Sequence, residues 1–224
     1  MKEGKTKTVE INDNGTITLR FKDAACGENG KFDPGANQVG LVIEGMGSAC
    51  LQTCVRFLTL LEDNGVPTHY ESWNPNEGTM TCKNLRMLPI EFIWRDLAWG
   101  SFCKMYGIPQ GYHLNGLIEA TLKSDELGDP RINQEAAVRC GFLTDKQYEE
   151  CAGLIRSAGT IIRQEMLKYG YCLVDFKLEF GETKDGRIVL GDEVSPAVWR
   201  VLKDGKPVDP IECAKRIIET NMQM

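Results

Sequence analysis

The chain has 224 residues, 42% of them hydrophobic, with 26 Lys and Arg against 32 Asp and Glu for a net charge of −6. That hydrophobic share supports a folded core and excludes a disordered chain, and at about 150 residues per domain the length suits one large domain or two small lobes around a cleft. The acidic balance argues against a protein built to grip nucleic acid. No apolar run approaches the roughly 18 residues of a membrane span, and Met1-Lys2-Glu3-Gly4-Lys5 lacks the apolar stretch of a signal peptide, which points to the cytoplasm.

Residues 1–22 read as strands: Gly15-Thr16-Ile17-Thr18-Leu19-Arg20-Phe21 alternates apolar and polar side chains. From 22 to 47 the chain carries Gly27, Gly30, Gly35, Gly40, Gly45 and Gly47 among Asn and Asp residues, the composition of a long and often functional loop. Leu51, Val55, Leu58 and Leu61 recur at helical spacing from Ser48 to Leu61. Asn64-Gly65 closes that helix and Pro67 prevents its return. Ile90, Phe92 and Trp94 alternate with Glu91, Ile93 and Arg95 as a further strand. Thr144 and Gln147 have the spacing of a capping box, opening a long helix with Tyr148, Cys151, Ile155, Ile162 and Met166 on one side and Gly170 at its end. Two hydrophobic strands and a short helix near 210–220 follow. The pattern is α+β in two lobes: a β-rich 1–87 with one helix, and an α+β 88–224.

The nine cysteines contain no C-x-x-C pair, and only His69 and His113 could supply imidazole. Zinc wants clustered thiolates or imidazoles, so the cysteines read as reduced and mostly buried. Nucleophilic schemes that need a histidine would have to use one of those two.

The richest stretch is Cys172–Glu193, CLVDFKLEFGETKDGRIVLGDE. Val174, Phe176, Leu178 and Phe180 share one parity and Asp175, Lys177 and Glu179 the other, so one strand face is apolar and the other charged. Asp185-Gly186 signals a two-residue hairpin. That turn sets Glu179 opposite Asp192, where two carboxylates would repel unless a hard cation such as Mg²⁺ lies between them. A slip of one residue would split the pair, and a solvated charged face that binds nothing carries the same pattern. Two further features are weaker. Lys5 and Lys7 flank Thr6 after Gly4, an arrangement able to hold polyphosphate although exposed lysines are common; neither a P-loop nor a G-x-G-x-x-G fingerprint occurs. Arg95, followed by a small-residue turn and Ser101, could grip a carboxylate or phosphate, with Arg200 as a second anion contact.

GKTK at 4–7, LPIEFIWRDLAWGSFCKMYG at 88–107, KSDELGDP at 123–130, LVDFKLEFG at 173–181 and LGDEVSPAVWR at 190–200 resemble, in order, the signature stretches of the SAICAR synthetase family. The resemblance spans almost the whole chain. It implies an α+β, two-lobed, kinase-like or ATP-grasp-like fold with ATP between the lobes. The implied activity is ATP-dependent joining of CAIR (carboxyaminoimidazole ribotide) to L-aspartate, a step of purine synthesis, by a homodimer or larger assembly. Lys5 and Lys7 would contact ATP phosphates, and Met87 and Leu88 would hold adenine through the backbone. Glu179 and Asp192 would carry Mg²⁺. Arg95, Ser101 and Arg200 would bind the ribotide, while Lys123, Asp129, Asp175 and Lys177 would line the reacting centre.

The sequence departs from the family pattern at Met46, Asp96, Trp99, Ala197 and Trp199. These departures are expected to gather where the ribotide or amino acid sits. Three readings follow: a divergent SAICAR synthetase, a paralogue amidating a different carboxylate, and a non-catalytic ATP-binding protein. Retention of Lys5, Lys7, Glu179 and Asp192 speaks against the last.

Overall fold

The computed structural model describes residues 2–36 and 38–221. The chain begins with β1 (Lys2–Glu3), β2 (Lys7–Ile11) and β3 (Thr16–Phe21). The expected loop at 22–47 instead holds β4 (Ala24–Glu28), β5 (Lys31–Phe32) and β6 (Val39–Val42), a small sheet in the order β5-β4-β6. Its glycines permit pairing rather than disorder: a Cβ on Gly27 would lie 2.1 Å from the Lys31 carbonyl oxygen. Composition alone made that segment look irregular.

Next come α1 (Met46–Asp63), β7 (Tyr70–Asn74), β8 (Thr79–Lys83), β9 (Arg86–Leu97) and α2 (Ser101–Tyr106). They are followed by β10 (His113–Leu122), α3 (Gln134–Arg139) and α4 (Asp145–Lys168). The C-terminal part contains β11 (Cys172–Glu182), β12 (Ile188–Gly191), β13 (Trp199–Lys203), β14 (Lys206–Pro207) and α5 (Pro210–Asn221). One antiparallel sheet runs β1-β2-β3-β8-β7. The second runs β10-β9-β11-β13-β14, with β12 also paired to β11. The sheets change over at Asn84 and Leu85, so the expected division at 87/88 falls just inside β9.

Period decides which faces meet. On β9, Ile90, Phe92 and Trp94 are buried, and β11 brings Phe176, Leu178 and Phe180 beside them. Helix α4 covers this face with Cys151, Ile155, Ile162 and Met166. Its N-terminus carries the expected capping box: Thr144 Oγ1 accepts from the Gln147 amide at 3.2 Å, and Gln147 Oε1 accepts from the Thr144 amide at 2.9 Å. Helix α1 joins the sheets by adding Leu51, Phe57, Leu58 and Leu61 to a core that also holds Leu19 and Met80. Among the described residues no helix is long and apolar enough to cross a membrane. Five of the nine cysteines are buried and all nine are free thiols.

Two expectations for the β11 hairpin need correction. The loop contains three residues, not two, because Thr183 N bonds to Arg187 O and Gly186 N bonds to Thr183 O. Gly186 takes φ +81° while Asp185 is not left-handed. A two-residue type I′ turn needs positive φ at both central positions, whereas a type I turn followed by a left-handed glycine gives the three-residue loop. Glu179 therefore pairs with Gly191, not Asp192. Nor does Val174 join the Phe176 face. A register shift between Leu173 and Asp175 against β13 moves it into a separate small cluster with Leu97 and Leu202.

Candidate active site

A cavity of about 790 Å³ opens between the two large sheets. Polarity changes along β2 and β3. Val9, Ile11, Ile17 and Leu19 line one part, joined by Leu85 and Met87. Past Lys7 the walls become charged, with Lys123, Lys177, Glu179 and Asp192. An apolar slot running into a cluster of cations and carboxylates suits a flat base attached to a polyphosphate.

The register slip should have turned Asp192 away from Glu179. It does not, because Asp192 follows the end of β12 in the left-handed region, φ +57°. That bend breaks the strand alternation and returns the carboxylate to the cavity that Glu179 lines. Burial first, and Asp192 next, push the Glu179 carboxyl up to about 7. Lys123 forms an ion pair with Glu179. Burial would raise Asp192, but nearby Lys7, 3.0 Å from Asp192 Oδ1, holds its carboxyl below the ordinary range. Two crowded carboxylates, each offset by a single neighbouring lysine, match the donor set of a hard divalent cation that completes its shell with phosphate oxygens and water. Among the described residues no larger His, Cys, Asp or Glu cage is present.

Lys7 is the most confined cation. It is buried between Asp192 and Glu193, and Glu193 in turn accepts a hydrogen bond from the Ser195 hydroxyl. Burial would lower Lys7, yet the two carboxylates hold it protonated well above the usual lysine value. Lys177 pairs with Glu91 at 3.2 Å, and Glu91 stands opposite Glu179 across the β9–β11 ladder. Lys5 reaches over the cavity mouth to Asp125 at 2.7 Å. Asp129 lines the cavity and also ties down its loop by accepting the Ser124 amide at 2.8 Å. Met87 reaches the cavity, while the Leu88 side chain is buried in the core. The β9–β11 register shifts between Glu91 and Met87, so regular pairing is interrupted around Leu88.

Arg95, Arg200 and Asp175 form a second cluster. Arg95 Nη1 and Arg200 Nη1 both donate to Asp175 Oδ2, at 2.5 and 2.8 Å. Arg95 Nε also reaches Glu119 at 2.5 Å, and Arg200 Nη2 reaches Asp33 at 2.8 Å. Asp175 is 3% exposed and lies behind the cavity wall rather than in it. Burial raises its carboxyl against the pull of both guanidiniums. Ser101 is exposed at the start of α2, next to Gly100, whose Cβ position lies 3.4 Å from the Arg200 guanidinium.

The altered positions do not gather at one pocket. Ala197 lines the cavity. Asp96 pairs with Arg163 on α4 at 3.3 Å, and Met46 is buried at the start of α1. Trp199 stacks edge-on with Phe57 at 5.0 Å, because its neighbour Arg200 takes the site-facing side of β13. Trp99 packs against the Leu97–Val174–Leu202 cluster.

Sequence reasoning missed Glu193, Glu91, Asp33 and His69. Glu193 directly follows Asp192, whereas Glu91 joins the site through space as the ion-pair partner of Lys177. Asp33 was hidden in the glycine-rich segment. His69 is buried, and its Nε2 donates to the Asp192 carbonyl oxygen at 2.9 Å. Burial lowers its pKa to about 4, so the imidazole is neutral near pH 7.

A SAICAR synthetase family profile matches residues 1–214. The phosphoribosylaminoimidazole-succinocarboxamide synthase of Clostridium tetani is 41% identical over 222 residues, covering 97% of this chain and 98% of that protein. The chain belongs to the SAICAR synthetase family. A solved SAICAR synthetase in complex with ADP superposes with a TM-score of 0.88 at 31% identity, covering 100% of this chain and 97% of the other. The phosphoribosylaminoimidazole-succinocarboxamide synthase from Ehrlichia chaffeensis gives 0.89 at 26% identity, covering 100% and 98%. The expected α+β SAICAR synthetase fold is thus the one adopted.

Proposed function

We infer that this protein joins CAIR to L-aspartate with cleavage of ATP to ADP and phosphate, the SAICAR synthetase step of purine synthesis. The observation that carries this reading is 41% identity to a synthetase of that name along almost the full length of both chains. The paralogue reading rests on a rebuilt pocket; of the altered positions Ala197 lines the cavity, whereas Met46, Asp96 and Trp199 pack or pair elsewhere, which favours the synthetase reading.

The cavity's polarity supports adenine in the apolar slot beside Met87, with Leu88 backbone groups available where the ladder is interrupted. Lys5 and Lys7 then face the phosphates. Glu179 and Asp192 would hold Mg²⁺, which when bound neutralises charge on the phosphoryl oxygens. Lys123 and Lys177 stand where the γ-phosphoryl group would pass to a CAIR carboxylate oxygen, releasing ADP. Most of the acceleration is positioning and electrostatics. The neutral aspartate amine then attacks the acyl phosphate carbon, phosphate leaves and an amide forms.

Both arginines engage Oδ2 of Asp175, so this buried carboxylate orients the two guanidiniums from behind the cavity wall. On this account Asp175→Asn raises the KM for CAIR, and an unchanged KM would remove the role. Arg95, Arg200 and Ser101 serve the ribotide phosphate, and Asp129 shapes the loop carrying Lys123. The two lobes meet at the 84–85 connection, three residues before the expected 87/88 division, and the protein acts as a cytoplasmic homodimer or larger assembly.

The test is ADP release from Mg-ATP with CAIR, with and without L-aspartate. Aspartate-dependent turnover is expected. ATP binding without CAIR-dependent turnover would contradict the reading.

A further inference from the structure

The hairpin register alone would aim Asp192 away from Glu179, so something must maintain the bend that brings it back. A left-handed backbone is unfavourable for a non-glycine residue, less so for Asp, and persists where its surroundings over-determine it. The segment before β7 supplies those surroundings. Thr68 pairs in parallel with Leu190. The Leu190 amide donates to Pro67 O, and the His69 amide donates to Leu190 O, both at 2.9 Å.

The backbone ladder on this side stops there, and the next acceptor along the bent chain is the Asp192 carbonyl. It receives its hydrogen bond at 2.9 Å from the His69 ring. A carbonyl can only accept, so Nε2 carries the hydrogen. The imidazole thus extends the parallel ladder one step past the strand end. His69 is itself fixed, being 2% exposed and having its carbonyl oxygen bonded by the Lys83 amide at 2.7 Å.

We propose that His69 is the positioning residue for the metal pair: its side chain holds the left-handed turn at Asp192 that sets this carboxylate beside Glu179. The proposal rests on the reading of Glu179 and Asp192 as the Mg²⁺ ligands. It assigns His69 no contact with substrate or metal.

The test is calorimetric titration of Mn²⁺ into the ADP-loaded protein, with ADP binding measured separately without metal. His69→Leu removes the donor. His69→Gln keeps an amide N–H at nearly the same reach. Loss of an outer partner of a metal ligand typically weakens affinity 10- to 100-fold. His69→Leu is therefore expected to bind Mn²⁺ at least about ten-fold more weakly, with metal-free ADP affinity preserved. His69→Gln is expected to recover most of the Mn²⁺ affinity. Wild-type Mn²⁺ affinity in His69→Leu would overturn the proposal. So would an equal loss in both variants, or a parallel loss of metal-free ADP binding, since either would mark a general packing defect. Failure of the wild-type protein to bind Mn²⁺ would instead sink the metal reading, and this proposal with it.

Discussion

Lys7 shows how tightly the site couples stability to binding. Its ammonium is the shared counter-ion of Asp192 and Glu193. Removing one partner of a buried ion pair costs about 3–5 kcal/mol because the other charge is left uncompensated. Lys7→Met should therefore lower unfolding stability in urea as well as raise the KM for ATP. A variant of wild-type stability would contradict the buried triad. Asp33 makes a different prediction. It is 48% exposed and holds Arg200 at 2.8 Å, where an incoming phosphate would have to replace it. Asp33→Asn should lower the KM for CAIR with kcat little changed; a raised KM would show that Asp33 helps the ribotide bind.

At the scale of elements, α4 carries a paired test. Gly153 is exposed, and a Cβ there meets nothing within 4 Å. Gly159 lies against Trp94, whose Nε1 would be 2.4 Å from an added Cβ. Gly153→Ala should stabilise the protein by up to about 1 kcal/mol through helix propensity. Gly159→Ala should destabilise it, because overpacking costs roughly 1–3 kcal/mol; equal effects in thermal unfolding would refute this packing of α4.

The α1–α4 contact gives a pH test. Burial would raise the Glu165 carboxyl, but Lys168, Tyr169 and Arg56 hold it below the ordinary glutamate range. A depressed carboxylate stabilises the fold above its unfolded pKa, and that contribution is lost as pH falls through the folded value. Glu165→Gln should therefore lose about 2 kcal/mol near pH 7. Its deficit from wild type should close as pH falls below about 4, and a pH-independent gap would contradict the pairing.

These elements also mark how much was legible beforehand. The alternation of Ile90, Phe92 and Trp94 and the Thr144–Gln147 box are local signals, and local geometry carried them into the structure. The hairpin register hinged on one backbone angle at Asp185, which the Asp-Gly dipeptide does not fix. Glu179 and Asp192 nevertheless share the cavity because a second backbone angle, at Asp192, reverses the consequence of the first. Neither angle is visible as a residue pattern, and the ring that reaches Asp192 comes from 123 residues away.

For the whole molecule, the main point is that one core joins both large sheets through α1 while a cavity separates their other faces. The net charge of −6 conceals strong local order. Lys7, Lys123 and Lys177 are interleaved with Glu91, Glu179, Asp192 and Glu193 along the cavity, and a chain of Arg200, Asp175, Arg95, Glu119 and Arg131 runs beside it. On the proposed reading, an anionic nucleotide is held in an acidic protein because Lys7, Lys123 and Lys177 would face its phosphates and a divalent ion would offset the remaining carboxylates.

The most direct measurement is the anomalous scattering of Mn²⁺ in crystals of the protein grown with ADP. The account predicts a peak in contact with both Glu179 and Asp192, next to the ADP phosphates. Bound ADP with the manganese elsewhere, or with one of those carboxylates turned out of the cavity, would contradict it.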